Sequence, residues 1–89
     1  MRDVVFKNRC NRDLKRMLKR GKQREDLLAI ARMIATDEPL PTSAHPHKLS
    51  GEYGGKWECH IEPDWLLIYG ITNSEVILER TGTHADLFE

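Results

Sequence analysis

The stretch from Lys56 to Arg80 constrains the fold most, because three runs of strand character are separated by turns that leave room only for antiparallel neighbours. Trp57, Cys59 and Ile61 alternate with Lys56, Glu58, His60 and Glu62, the period of two of a half-buried strand. Pro63-Asp64 marks a turn. Trp65-Leu66-Leu67-Ile68-Tyr69 is almost wholly apolar, as a central strand covered on both faces is. Thr72-Asn73-Ser74 supplies a second turn, and Glu75 to Arg80 a third strand. A three-stranded antiparallel meander is predicted.

Upstream, the β-branched and aromatic run Asp3-Val4-Val5-Phe6 is predicted to be a strand that joins this sheet. Cys10, Leu14, Met17 and Leu18 then fall on one helical face, and Gly21 stands where a C-terminal cap belongs, which predicts a helix over 8–20. A second helix is predicted over 24–35, with Glu25 and Asp26 at its start and Leu27, Ile30, Ala31 and Ile34 as its buried stripe. So few residues join the two that they must form an antiparallel hairpin. Pro39 and Pro41 forbid further helix. Residues 36–55 form a long connection carrying three of the four prolines and three glycines, and connections of this kind are often functional. The order is β-α-α-β-β-β, an α+β fold with the hairpin on one face of an antiparallel sheet. With 89 residues the chain is expected to be a single domain, 1–89.

Cys10 and Cys59 each occupy an apolar position, so neither a disulfide framework nor a zinc knuckle is indicated. No apolar run approaches the roughly 18 residues of a membrane span, and the first residues lack a leader-like apolar stretch, so a soluble cytoplasmic protein with no membrane partner is expected. The formal net charge is zero, but residues 1–32 carry 11 Lys or Arg against 4 Asp or Glu, and residues 33–89 carry 3 against 10. Arg9, Arg12, Lys15, Arg16, Lys19 and Arg20 crowd the first helix. Such a helix is either a solvated surface or an electrostatic footprint for RNA phosphates or an acidic protein, and crowding of like charge leaves the two readings level.

The polar residues that stand out are His47, His60, Asp64, Arg80 and His84. Cleaving RNA without a metal needs a base for the 2′-hydroxyl, an acid for the departing 5′-oxygen and a cation for the phosphate, and this set contains all three. Histidine serves as acid or base near neutrality. Each residue alone has an ordinary structural explanation, so the set is weighed together. A metal site built from His45, His47, His60, His84 and Asp64 is disfavoured, because no pair has the i, i+4 spacing of a metalloprotease. Neither metal nor cofactor is expected. Cys59 as a nucleophile is disfavoured because it shares parity with Trp57 and Ile61 and should face the core.

Glu58-Cys59-His60-Ile61-Glu62-Pro63-Asp64-Trp65-Leu66-Leu67-Ile68-Tyr69 and Glu79-Arg80-Thr81-Gly82-Thr83-His84-Ala85-Asp86-Leu87-Phe88 together resemble the YafQ toxins of the RelE/ParE superfamily, and His47-Lys48-Leu49-Ser50-Gly51 is similar to a loop of that family. Where many relatives carry an arginine in a Gly-Tyr-Arg setting, this chain has Gly54-Gly55-Lys56-Trp57, and Lys56 is the nearest cation. The resemblance implies the RelE-like microbial RNase fold and a type II toxin. Such a toxin enters the A site of the 70S ribosome, cleaves mRNA there and is held inactive by a DinJ-like antitoxin, in a heterotetramer that meets operator DNA only through the antitoxin. It implies His84 as general acid, with Asp64, His60 or His47 supplying or supporting the base and Arg80 stabilising the phosphate. Trp65 and Phe88 would position RNA, with Lys56 beside them, and the cations of the first helix would contact rRNA or antitoxin. The competing readings are a ParE-like toxin that binds DNA gyrase without chemistry, and a degenerate toxin acting only within a repressor complex. Pure binding gives no reason to assemble this histidine and aspartate set.

Overall fold

A computed structural model describes residues 1–89. Strand β1 (Asp3–Phe6) leads into helices α1 (Asn8–Lys19) and α2 (Arg24–Ala35). A short β2 (His47–Lys48) precedes the long meander β3 (Trp57–Glu62), β4 (Trp65–Ile71) and β5 (Glu75–Gly82), and α3 (His84–Phe88) follows. The helix hairpin and meander fall where the sequence placed them. Three features differ from the expected order: β2 within the long connection, α3 at the end, and the extension of β5 to Gly82.

The five strands lie in the order β1-β5-β4-β3-β2, with β1 parallel to β5 and the other pairs antiparallel. A parallel pair needs a crossover, and the helix hairpin supplies it. α1 ends in a Schellman arrangement in which Lys22 N–H donates to the Met17 carbonyl and Gly21 N–H to Leu18. Gly21 takes φ +94°, a value that glycine adopts without steric cost.

The hairpin lays Cys10, Leu14, Met17, Leu27, Ala31 and Ile34 against Cys59, Trp65, Leu67, Tyr69, Val76 and Leu78. Burial drives both thiols up to about 12, so they remain protonated and Cys59 has no nucleophilic character at neutral pH. On the opposite sheet face a smaller cluster, Leu66, Ile68 and Leu87 with Leu49 and Tyr53 against it, seats α3.

Two register shifts decide which side chains reach that second face. In β5, Arg80 lies opposite Ile68 while Leu78 lies opposite Tyr69, so Glu79 is an extra residue. Strict alternation would place Arg80 with Val76 and Leu78 under the helices, and the bulge turns it to the other side. In β3, His60 faces Leu66 but Glu62 faces Trp65, so Ile61 is extra. Glu62 therefore leaves the row of Lys56, Glu58 and His60 that alternation predicted for it, and pairs with Lys22.

Candidate active site

His84 opens α3, and Asp64 occupies the β3–β4 turn. Asp64 Oδ1 accepts the His84 backbone N–H at 2.9 Å and lies 2.7 Å from its Nδ1. An ionised carboxylate only accepts, so Nδ1 carries the proton of that bond and Nε2 faces outward. The two contacts, the backbone N–H foremost, hold the Asp64 carboxyl below the usual carboxylate range. Asp64 thus holds the His84 ring through Nδ1.

The His60 ring lies 5.9 Å from that of His84, and its Nδ1 is 3.2 Å from the Pro63 carbonyl oxygen. Donation there leaves Nε2 as the ring's acceptor, the form a general base requires. His47, opposite Glu58 on β2, meets acceptors at both nitrogens: Nε2 is 3.2 Å from Glu58 Oε1 and Nδ1 is 3.1 Å from the His45 carbonyl oxygen. Both ring nitrogens therefore lie within hydrogen-bond distance of an acceptor oxygen. Glu58 is nearly buried, and sequence reasoning missed it, although its parity with His60 was the available signal.

Arg80 is 8% exposed. Its Nε and one terminal nitrogen meet the Asp13 carboxylate at 2.6 and 3.1 Å, and Asp13 also accepts the Thr81 N–H at 3.2 Å. The remaining nitrogen lies 3.5 Å from the Tyr53 hydroxyl, toward the second face. The Asp13 hydrogen bonds raise the guanidinium's pKa, so this cation is permanent. Sequence reasoning missed Asp13, the one acid within the basic α1, and Tyr53. Phe88, on the same face of α3 as His84, is half exposed and meets Tyr53 edge-on at 6.4 Å between centroids.

Several expected contacts are corrected. Trp65 is fully buried on the helix side, where its Nε1–H donates to Thr81 Oγ1 at 2.8 Å and Thr81 in turn donates to the Leu66 carbonyl, so it cannot touch RNA. Lys56 lies over Gly70 and is paired with Glu79 at 3.1 Å, so its charge is already answered. Arg20 and Arg16 are also committed internally: Arg20 meets both Asp86 oxygens at 2.6 and 3.2 Å, and Arg16 approaches Asp86 and Asp13 at 3.9 Å. Arg9, Arg12, Lys15 and Lys19 remain exposed on α1 with no acidic partner. No group of three or more His, Cys, Asp or Glu side chains converges as metal ligands would.

Asp86 fixes α3. It accepts the Thr83 N–H at 3.0 Å, its own N–H donates to Thr83 Oγ1 at 3.1 Å, and any Cβ at residue 82 would meet its Cβ at 2.9 Å, which Gly82 avoids. Arg20 foremost, then the Thr83 N–H, holds the Asp86 carboxyl far below its usual range. A depressed folded pKa contributes stability that is complete above the unfolded value of about 4 and is lost as pH falls through the folded value. Asp86→Asn should therefore lower the melting temperature at pH 7, and thermal melts should show its gap from wild type closing as pH drops below about 4.

A helix hairpin covers one sheet face, and the histidines line the other. The family model for YafQ, bacterial toxins of type II toxin-antitoxin systems, matches residues 2–89. The chain belongs to the YafQ toxin family. It is 38% identical over 88 residues, 98% of this chain and 96% of the other, to the mRNA interferase toxin YafQ of Escherichia coli K12. It superposes with TM-score 0.87 and 37% identity on a chain of the E. coli DinJ-YafQ toxin-antitoxin complex, covering 99% of this chain and 98% of that one. A metal-bound toxin from Helicobacter pylori matches with TM-score 0.92 at 32% identity, over 99% of this chain and 100% of that one.

Proposed function

We propose that the chain is an mRNA interferase, cleaving mRNA in the ribosomal A site by metal-independent attack of a 2′-hydroxyl on the adjoining phosphate. The Asp64–His84 dyad carries this reading: a carboxylate holds one ring nitrogen and leaves the other open beside a second imidazole. His60 Nε2 takes the proton from the 2′-hydroxyl, the 2′-oxygen bonds to phosphorus, and the phosphorus–5′-oxygen bond breaks as His84 Nε2 delivers a proton to the leaving oxygen. The ring centres lie 5.9 Å apart, so both imidazoles can reach the oxygens of one phosphate lying across them. The free edge of Arg80 stabilises the crowded phosphate, with His47 beside it as a hydrogen-bond donor, while Phe88 and Tyr53 offer aromatic faces to an unstacked base.

The exposed cations Arg9, Arg12, Lys15 and Lys19 suit rRNA phosphates or the acidic segment of an antitoxin. A DinJ-like antitoxin is the expected partner, since the E. coli relative was crystallised with DinJ. Its assembly with this chain would be a heterotetramer that meets operator DNA through the antitoxin. End analysis of mRNA cut on ribosomes tests the chemistry. Fragments should end in 2′,3′-cyclic phosphate with 5′-hydroxyl on the downstream piece, and 3′-hydroxyl ends would mean that water, not the 2′-oxygen, attacks.

A further inference from the structure

β2 pairs only with Trp57 and Glu58, so beyond them the outer edge of β3 has no strand beside it. A cleft of about 490 Å³ opens there, lined by Ser43, His45, His60, Ile61, Glu62 and Pro63. That is within the range of about 300–1,000 Å³ typical of small-ligand sites. His60 borders both the cleft and the Asp64–His84 dyad, and the carboxylate of Glu62 is neutralised by Lys22.

His45 is held in this cleft against its backbone preference. Residues before proline favour extended conformations, yet His45, preceding Pro46, takes φ 43° and ψ 59°. Left-handed backbone at a residue other than glycine is costly and persists where surroundings enforce it. Here Ala44 is buried in the main core on one side, and the His47 ring donates to the His45 carbonyl on the other. The result presents an exposed imidazole edge-to-face to His60, with 6.3 Å between centroids and 84° between planes. Nothing in the fold's packing needs that exposed ring.

We propose that this cleft seats the nucleotide adjoining the scissile phosphate, its base against the rings of His45 and His60, with Ser43 and the unpaired β3 edge available to its hydrogen-bonding groups. Aromatic and imidazole faces are the usual platforms for unstacked RNA bases. His45 is thereby a binding residue that sets base preference beside the cut. This inference rests on the RNA-cleaving reading above.

His45→Gly separates function from folding, because glycine accepts this conformation freely. Its melting temperature should equal or exceed that of wild type. On ribosomes programmed with mRNA, KM should rise about tenfold and the preference at one position flanking the cut should flatten. A binding measurement independent of cleavage uses 5′-AMP, GMP, CMP and UMP as probes. They should shift the His45 and His60 ring resonances in wild-type protein and in His84→Ala alike. Unchanged KM and preference in His45→Gly, or mononucleotides that leave both rings unmoved, would overturn the inference while His84-dependent cleavage stood. If His84→Ala cut RNA as fast as wild type yet the rings still responded, the acid assignment would fail and the nucleotide seat would remain.

Discussion

Replacing His84 with alanine should lower the rate of mRNA cleavage by about 10²- to 10⁴-fold, the usual cost of removing a positioned general acid. The fold should survive. The His84 side chain is half exposed and its ring makes one hydrogen bond, to Asp64, while the backbone bond to Asp64 does not need the ring. α3 also keeps its cap, which belongs to Thr83 and Asp86. Single-turnover cleavage on ribosomes, with circular dichroism melts as control, measures both effects. An active variant would remove His84 from the chemistry, and a variant with a melting temperature many degrees lower would make its loss of activity uninformative.

Asp64→Ala supplies the contrast that separates acid from orienter. Because Asp64 is held as a carboxylate throughout the neutral range, its own titration contributes no limb to the pH–rate profile there. Removing Asp64 frees the ring to turn without deleting the acid, so the rate should fall less than in His84→Ala.

The elements of this fold were legible because they repeat. Cys10, Leu14 and Met17 recur at helical spacing, and Trp57, Cys59 and Ile61 alternate, so pattern alone locates the hairpin and the meander. Of the residues singled out, Asp64, His84 and His60 lie side by side, and His47 stands on β2 against Glu58. What pattern could not give is parity across irregularities. The extra residue at Glu79 sends Arg80 to the open face, and the one at Ile61 removes Glu62 from it. In Trp65–Tyr69 every position is apolar, so no alternation marks which side chain faces which layer; the RNA contact that the resemblance implies for Trp65 is ruled out by its place in the core. Pairings across long sequence separation, Asp13 with Arg80 and Arg20 with Asp86, leave no local trace in the chain. For the same reason the charges of the basic helix left a solvated surface and a footprint level, whereas two of its six cations pair within the molecule.

Asp13→Ala should produce the largest loss of stability of any single substitution on α1. The carboxylate is almost wholly buried and accepts from Arg80 twice and from the Thr81 N–H, which lies on β5 beyond the last β1 pairing at Leu78. Truncation leaves a guanidinium and a backbone donor without partners, and breaking such a pair from one side costs about 3–5 kcal/mol. Domains of this kind have only about 5–15 kcal/mol in total. Urea unfolding should show a large fall in the midpoint with little change in slope, since the surface exposed on unfolding is the same. Arg80→Met separates charge from packing: it removes the guanidinium but leaves Asp13 buried beside the Thr81 N–H. If the pair acts as a unit, the double variant Asp13→Ala with Arg80→Met should lose much less than the two single losses added together. Additive losses would mean that Asp13 serves the β5 edge alone and has no hold on Arg80. Activity then gives an independent reading, for Asp13→Asn retains the volume and one acceptor oxygen but frees the guanidinium from its fixed fork. Cleavage by this variant should fall at protein concentrations and temperatures where it is fully folded, because Arg80 is then no longer held with one nitrogen toward Tyr53 and the open face.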